Sequence, residues 1–143
     1  MSQQFFMNEG VFDLPELPFV DKTVHLLKAP IAPGKELGLV VCRAVVKAER
    51  TLDEVVSAHL EHEARSLRGF TIVGKSAGEC AGYEAVDVAS KYRLTDEMAY
   101  QRQVHALIGG VWMMFGVTGP LADRAACDEL LTGVVASFQL RTG

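Results

Sequence analysis

Between Arg102 and Asp123 the chain carries no Asp, Glu, Lys or Arg, and most of the gap reads VHALIGGVWMMFGVTGPLA, Val104 to Ala122. An apolar stretch of roughly 20 residues is long enough to cross a bilayer as a helix. Its internal punctuation argues against that. Gly109-Gly110 is a two-residue hairpin signal, and Gly116, Gly119 and Pro120 lower helix propensity further. Trp112 falls in the middle, whereas spanning helices favour Trp at the interfaces. The run therefore predicts two strands, Met98 to Ile108 and Val111 to Thr118, with a helix opening at Pro120. On the second strand Val111, Met113, Phe115 and Val117 point one way, and Trp112 and Met114 point the other. An antiparallel sheet usually leaves one face to water, but here both faces are apolar and both need cover.

The rest of the chain predicts more strands at Gly10–Leu14, Lys22–Lys28, Leu37–Arg43, Phe70–Val73 and Tyr83–Leu94. Thr51-Leu52-Asp53-Glu54 reads as a capping box that opens a helix to about Leu67. Its apolar face is Leu52, Val56, Leu60 and Leu67, with Gly69 as the C-cap. A second helix, about Leu121 to Phe138, places Leu130, Leu131, Val134, Val135 and Phe138 at helical spacing. Consecutive strands with two helices predict one α+β domain over residues 1–143, with an antiparallel sheet. The second helix would cover one sheet face.

Composition narrows the function classes. A net charge of −4 and no Lys/Arg cluster speak against nucleic acid as a partner. Three widely spaced cysteines, Cys42, Cys80 and Cys127, fit reduced thiols in the cytoplasm better than a disulfide framework. The start, Met1 to Phe6, has neither the basic nor the apolar segment of a signal peptide, and there is no internal repeat or low-complexity stretch.

Gly69 to Ser76, GFTIVGKS, matches the phosphate-loop pattern letter for letter. That loop needs a strand before it and a helix after it, so that free backbone N–H groups face the phosphates. Here a helix precedes, the variable positions are strand formers, and Ser76-Ala77-Gly78-Glu79 starts no helix. Nucleotide binding is disfavoured. His59-Leu60-Glu61-His62-Glu63 sets two imidazoles three apart, not the four of a zinc-protease helix, and His25 and His105 are isolated. A solvated helix face is the better reading, with no metal and no cofactor. Cys42 has no base near it in sequence and reads as a packing residue. No nucleophile elbow is present, so nothing calls for an enzyme. Gln101 and Gln103 share one strand face with Ala99. They form either an ordinary wet face or a pair of amides able to satisfy polar groups of a bound apolar segment.

Taken together, several short stretches resemble the DcrB-related domain family, and within it the effector-associated (Eag) chaperones of type VI secretion. They are Asn8-Glu9-Gly10, Leu14-Pro15, Phe19-x-Asp21, Leu39-Val40-Val41-Cys42-Arg43, Leu67-Arg68-Gly69-Phe70, Gly82-Tyr83-Glu84-Ala85, Gln101-Arg102-Gln103 and Ser137-Phe138-Gln139. Phe19 stands where relatives usually have Trp. The resemblance covers nearly the whole chain and implies a Mog1/PsbP-like fold, a curved antiparallel sheet flanked by helices. It further implies a cytoplasmic homodimer that grips the N-terminal transmembrane helices of a secreted effector before loading, without being an integral membrane protein. The groove positions it implies here are Val24, Leu26, Val40, Cys42, His59, Leu67, Ala99, Gln101 and Gln103. Three depart from the family pattern: Cys42 replaces a common Ser, His59 an expected Gln, and Ala99 a usual Leu. The alternative is an envelope-associated DcrB-like protein.

Overall fold

The computed structural model describes residues 3–7, 10–14 and 22–140, with side chains from residue 24 onward. The family-like pieces at Asn8, Glu9, Pro15, Phe19 and Asp21 lie outside the described residues. The elements in chain order are β1 (Gln3–Met7), β2 (Gly10–Leu14), β3 (Lys22–Ala32), β4 (Lys35–Val45), α1 (Leu52–Ser66) and β5 (Thr71–Cys80). They continue with β6 (Tyr83–Arg93), β7 (Met98–Ile108), β8 (Val111–Pro120), a 3-10 turn at Leu121–Asp123 and α2 (Arg124–Ser137). β1 and β2 pair as a two-stranded sheet. The other six form one antiparallel sheet in the order β3-β4-β8-β7-β6-β5.

The uncharged run folds as a hairpin. β7 and β8 pair from Ile108↔Val111 outward, and the turn holds Gly109 and Gly110 at φ +58° and +79°. Two consecutive residues at positive φ are what a two-residue turn of this hand demands, and glycine adopts them without a Cβ clash. Among the described residues, no helix is long and apolar enough to cross a membrane.

Each sheet face meets a helix. α2 packs on β7 and β8. There Leu131 and Cys127 close over Tyr100, Val104, Phe115 and Val117 in the larger core. α1 packs on β6 and β7, where Val56 and Leu60 meet Val86 and Val88. Strand alternation puts these two cores on opposite faces. The predicted alternation of β8 holds: Phe115 and Val117 join the α2 core, while Met114 lies opposite Cys42 and His105 on the other face. The α1 cover is partial. It leaves open the part of its face built by β3, β4 and β8.

Most element boundaries fall near the sequence expectation, and the misses have causes. β5 was expected to stop at Val73 but runs to Cys80. Its glycines and Lys-Ser look like a loop, and a bulge between Ile72 and Gly74 absorbs the irregularity. This also settles the local setting of the phosphate-loop match: Lys75 and Ser76 lie mid-strand, with no helix after them. α1 ends at Ser66, with Leu67 extended, so Gly69 at φ +64° serves the turn into β5 rather than the helix cap. The capping box forms as expected, with Glu54 N–H donating to Thr51 Oγ1 at 3.2 Å.

The α2 contact also dictates a residue. A Cβ at Gly119 would sit 2.6 Å from Leu37 Cδ2 and 2.9 Å from Cys127 Sγ. Gly119→Ala should therefore cost about 1–3 kcal/mol through overpacking. Gly133 lies within α2 and has open space around it, so Gly133→Ala should gain about 0.5–1 kcal/mol of helix propensity. Urea melts of the two variants should move in opposite directions.

Candidate functional site

On β7, Ala99, Gln101, Gln103 and His105 alternate onto the face that α1 partly covers. Their neighbours across the ladder extend the same face. Gln103 lies opposite Gly116, Gly116 opposite Val40, and Val40 opposite Leu26. His105 lies opposite Met114, Met114 opposite Cys42, and Cys42 opposite Val24. Two rows of side chains thus cross four strands, from buried amides and imidazole at one end to aliphatics at the other. Val24 and Leu26 on edge strand β3 keep 64% and 59% of their surface exposed. All nine expected groove residues come together on this face or on the helix beside it.

The polar end is organised by Glu63, a residue the sequence reading assigned to solvent. It is buried on the inner face of α1. Gln101 Nε2 donates to Glu63 Oε2, and Gln103 Nε2 donates to Glu63 Oε1 at 2.9 Å. Gln103 Oε1 in turn accepts from His105 Nε2 at 2.9 Å, and Trp112 Nε1 donates to His105 Nδ1 at 3.1 Å. Trp112 can only donate, so the tautomer follows: His105 is protonated on Nε2, and the chain of donors runs from Trp112 towards the carboxylate. His59 Nε2 lies 2.7 Å from Glu63 Oε1, close but not aligned as a hydrogen bond.

The electrostatics agree with this arrangement. Burial pushes the Glu63 carboxyl up, but contact with His59 and the Gln101 and Gln103 amides outweighs it, holding the group below the usual carboxylate range. Burial, aided by the nearby His59, pushes His105 down to about 3, so its ring is neutral. Burial and then the Glu63 charge raise both the Cys42 thiol and the Tyr92 phenol. The carboxylate's field therefore reaches across the open face.

Two depressions adjoin here. One, of about 310 Å³, lies between Glu63, Gln101, Gln103, Leu67, Val40 and Gly116. The other, of about 840 Å³, lies between Val24, Cys42, Ala58, His59 and Trp112. His59 borders both. Among the expected residues, Val40, Cys42, His59 and Leu67 are half-buried on these walls. Ala99 is 1% exposed, so it presents almost no surface. Gln101 and Gln103 are buried beneath α1, and each gives an amide N–H to Glu63. The expected solvated helix face is corrected at two of its members: His59 and Glu63 face the sheet, while Glu61 and His62 remain exposed. The sequence signal for Glu63 was available, since it continues the spacing of Val56 and Leu60 and so interrupts an apolar stripe with a carboxylate. Trp112, Met114 and Gly116 join the site through the β7–β8 hairpin that Gly109-Gly110 signals, while the pairing of that hairpin with β4 is not displayed by the sequence. Among the described residues, no three His, Cys, Asp or Glu side chains converge as a metal site.

A buried polar chain thus lies beside an open apolar sheet face, on a curved antiparallel sheet with helices on both sides. The chain belongs to the DcrB family, whose sequence profile matches residues 9–137. Among solved structures it is similar to PA94 of Pseudomonas aeruginosa, a protein of unknown function, at 17% identity and a TM-score of 0.75, with 99% of each chain covered. It is also similar to LpqN of Mycobacterium tuberculosis, involved in cell envelope biogenesis, at 14% identity and TM-score 0.61, over 84% of this chain and 83% of that one. The cyanobacterial PsbP of Synechocystis sp. PCC 6803 matches at 10% identity and TM-score 0.60, over 98% and 92%. At such identities the likeness concerns the fold, which is PsbP-like as expected. No functionally curated protein matches in sequence.

The buried network makes stability depend on pH. The unfolded chain protonates His105 near 6.5, and the folded chain only near 3. Between these values the unfolded state binds the extra proton, so stability falls as pH falls. Glu63 acts in the same direction at lower pH, because its depressed folded value gives stability that is lost as pH drops through it. Urea melts should lose up to about 1.4 kcal/mol per pH unit below 6.5 from His105 alone. His105→Gln should flatten that slope even if it lowers stability at neutral pH. An unchanged slope would show that His105 does not titrate as a buried neutral ring.

Proposed function

We propose that the protein is a cytoplasmic chaperone or adaptor, working as a homodimer. In this reading it binds and shields the N-terminal transmembrane helices of a type VI secretion effector before export. The observation that carries this reading is the open apolar face. Val24 and Leu26 stand exposed on β3 and continue through Val40 and Cys42 to the Gln101–Gln103 pair. A transmembrane helix in water needs an apolar surface that stands in for lipid, together with some polar contacts, and this face offers both. The edge position of β3 leaves room for a long guest.

A second reading, a role at the cell envelope, is favoured by the likeness to LpqN. The two differ in where the protein resides and what it carries. Fractionation after co-expression with a candidate effector that carries apolar N-terminal helices separates them. A cytosolic complex supports the chaperone, and recovery with the envelope without an effector supports the alternative.

The sharper test uses charge. Each aliphatic side chain buried against a guest helix is worth roughly 1.5–3 kcal/mol, and a carboxylate placed there must be desolvated or block docking. Val24 and Leu26 are exposed in the free protein, so Val24→Asp and Leu26→Asp should melt close to wild type yet lose the effector in a pull-down. Full retention of the effector by both folded variants would overturn the helix-cradle reading.

A further inference from the structure

We propose that the polar end of the open face selects its occupant by hydrogen-bond donors. In this scheme Glu63 is the specificity-determining acceptor, and it takes the hydroxyl of a Ser or Thr carried within the bound apolar helix. This rests on the reading of the face as a helix cradle.

The geometry supplies the sign of the preference. Glu63 draws one amide N–H from Gln101 and one from Gln103 towards itself. Both glutamines are thereby turned with their nitrogens to the carboxylate. Gln103 Oε1 is already held by His105. An ionised carboxylate has about four acceptor sites and no donor of its own, so two amides and the adjacent His59 leave capacity unused. Glu63 also lines the smaller depression, beside Val40 and Thr118, with about a tenth of its side chain exposed there. At Gly116 an added Cβ would come within 3.0 Å of Met114 and 3.5 Å of Gln103, so those two side chains already close over that backbone and the open part of the depression lies towards Val40 and Thr118. Charge complementarity then asks for a donor. A lysine would answer it, but a cation at the centre of a membrane-inserting helix costs about 2.5–3.5 kcal/mol on insertion. A hydroxyl donates without that penalty and is small enough for the depression.

The probe is a pair of synthetic 20-residue Leu/Ala helices with lysines outside each end, one carrying a central Thr and the other the isosteric Val. Binding to the full chain is read by fluorescence anisotropy in mild detergent. Wild type should bind both, with the Thr peptide about three- to tenfold tighter, the yield of one interhelical hydrogen bond in an apolar setting. Glu63→Gln, checked for folding by its melt, should lose the preference and bind the Thr and Val peptides equally, whatever its absolute affinity. Equal binding of both peptides by wild type overturns this inference and leaves the cradle standing. Binding of neither peptide overturns both. A preference that survives in folded Glu63→Gln also overturns it, as does a central-Lys peptide that binds tighter than Thr. Should Glu63→Gln fail to fold, the wild-type comparison of Thr and Val still decides the hydroxyl preference.

Discussion

The hydrogen bonds converging on Glu63 are what the α1 face depends on. A carboxylate held from water inside a protein costs several kcal/mol unless other groups replace the hydration it has lost. Gln101 and Gln103 supply that replacement from β7, and His59 approaches from the same helix. The bond works in both directions. Without Glu63 the two glutamines would be buried amides beneath a helix with no partner for their N–H groups, a comparable penalty. The pair therefore fixes where α1 sits on the sheet. Since α1 is tied to β7 and packs chiefly on β6 and β7, reaching β8 at Trp112, it leaves the β3 side of the face uncovered. The open apolar strip exists because the helix is anchored away from it.

The opposite face shows the contrast. There Arg102 spans Asp87 and Asp128, with contacts of 2.7 and 3.2 Å, and Tyr100 Oη donates to Asp128 at 2.7 Å. These groups tie α2 to β6 and β7 as Glu63 ties α1, and α2 with the segment after it covers the β7 and β8 part of its face, while Leu27 on β3 stays exposed. Phe138 meets Phe115 edge-on at 5.0 Å between ring centres. Burial and the bond to Asp128 push the Tyr100 phenol up to about 12, and the two carboxylates push the Arg102 guanidinium up, so neither changes charge near neutrality. One face carries a paired ion cluster at the edge of its core. The other carries a single anion held by amides at the edge of its core.

Much of this was legible in the sequence. The Gly109-Gly110 turn identified the hairpin inside a run long enough to be mistaken for a membrane helix, and two-sided apolarity on β8 announced that both faces need cover. The capping box at Thr51 located α1. Alternation placed Gln101 and Gln103 on one face, and the structure agrees. What escaped was pairing across distance. The bond from Glu63 to Gln101 and Gln103 joins residues 38 and 40 positions apart, and local periodicity carries no information about such a partner. A carboxylate on a helix is usually at the surface, so His59 and Glu63 were assigned to water. β5 was cut short for a related reason: its glycines resemble a loop until β6 is seen to pair along its length.

The two faces also explain why the polar chain ends where it does. Trp112 and His105 lie deep on β8 and β7, with ring centres 5.9 Å apart, and His59 stacks near both at 5.4 and 5.2 Å. This aromatic group also lines the larger depression, through His59 and Trp112. Its polar atoms are internally consumed: the indole N–H by His105, and the imidazole N–H by Gln103. The only formal charge in the chain of bonds therefore appears at Glu63. From Glu63 to Val24 the face changes from charged to amide to aliphatic within four strands. A helix laid along that gradient would meet a polar anchor at one end and apolar contact over the rest. On the proposed reading, that gradient is what would let the face distinguish one apolar segment from another.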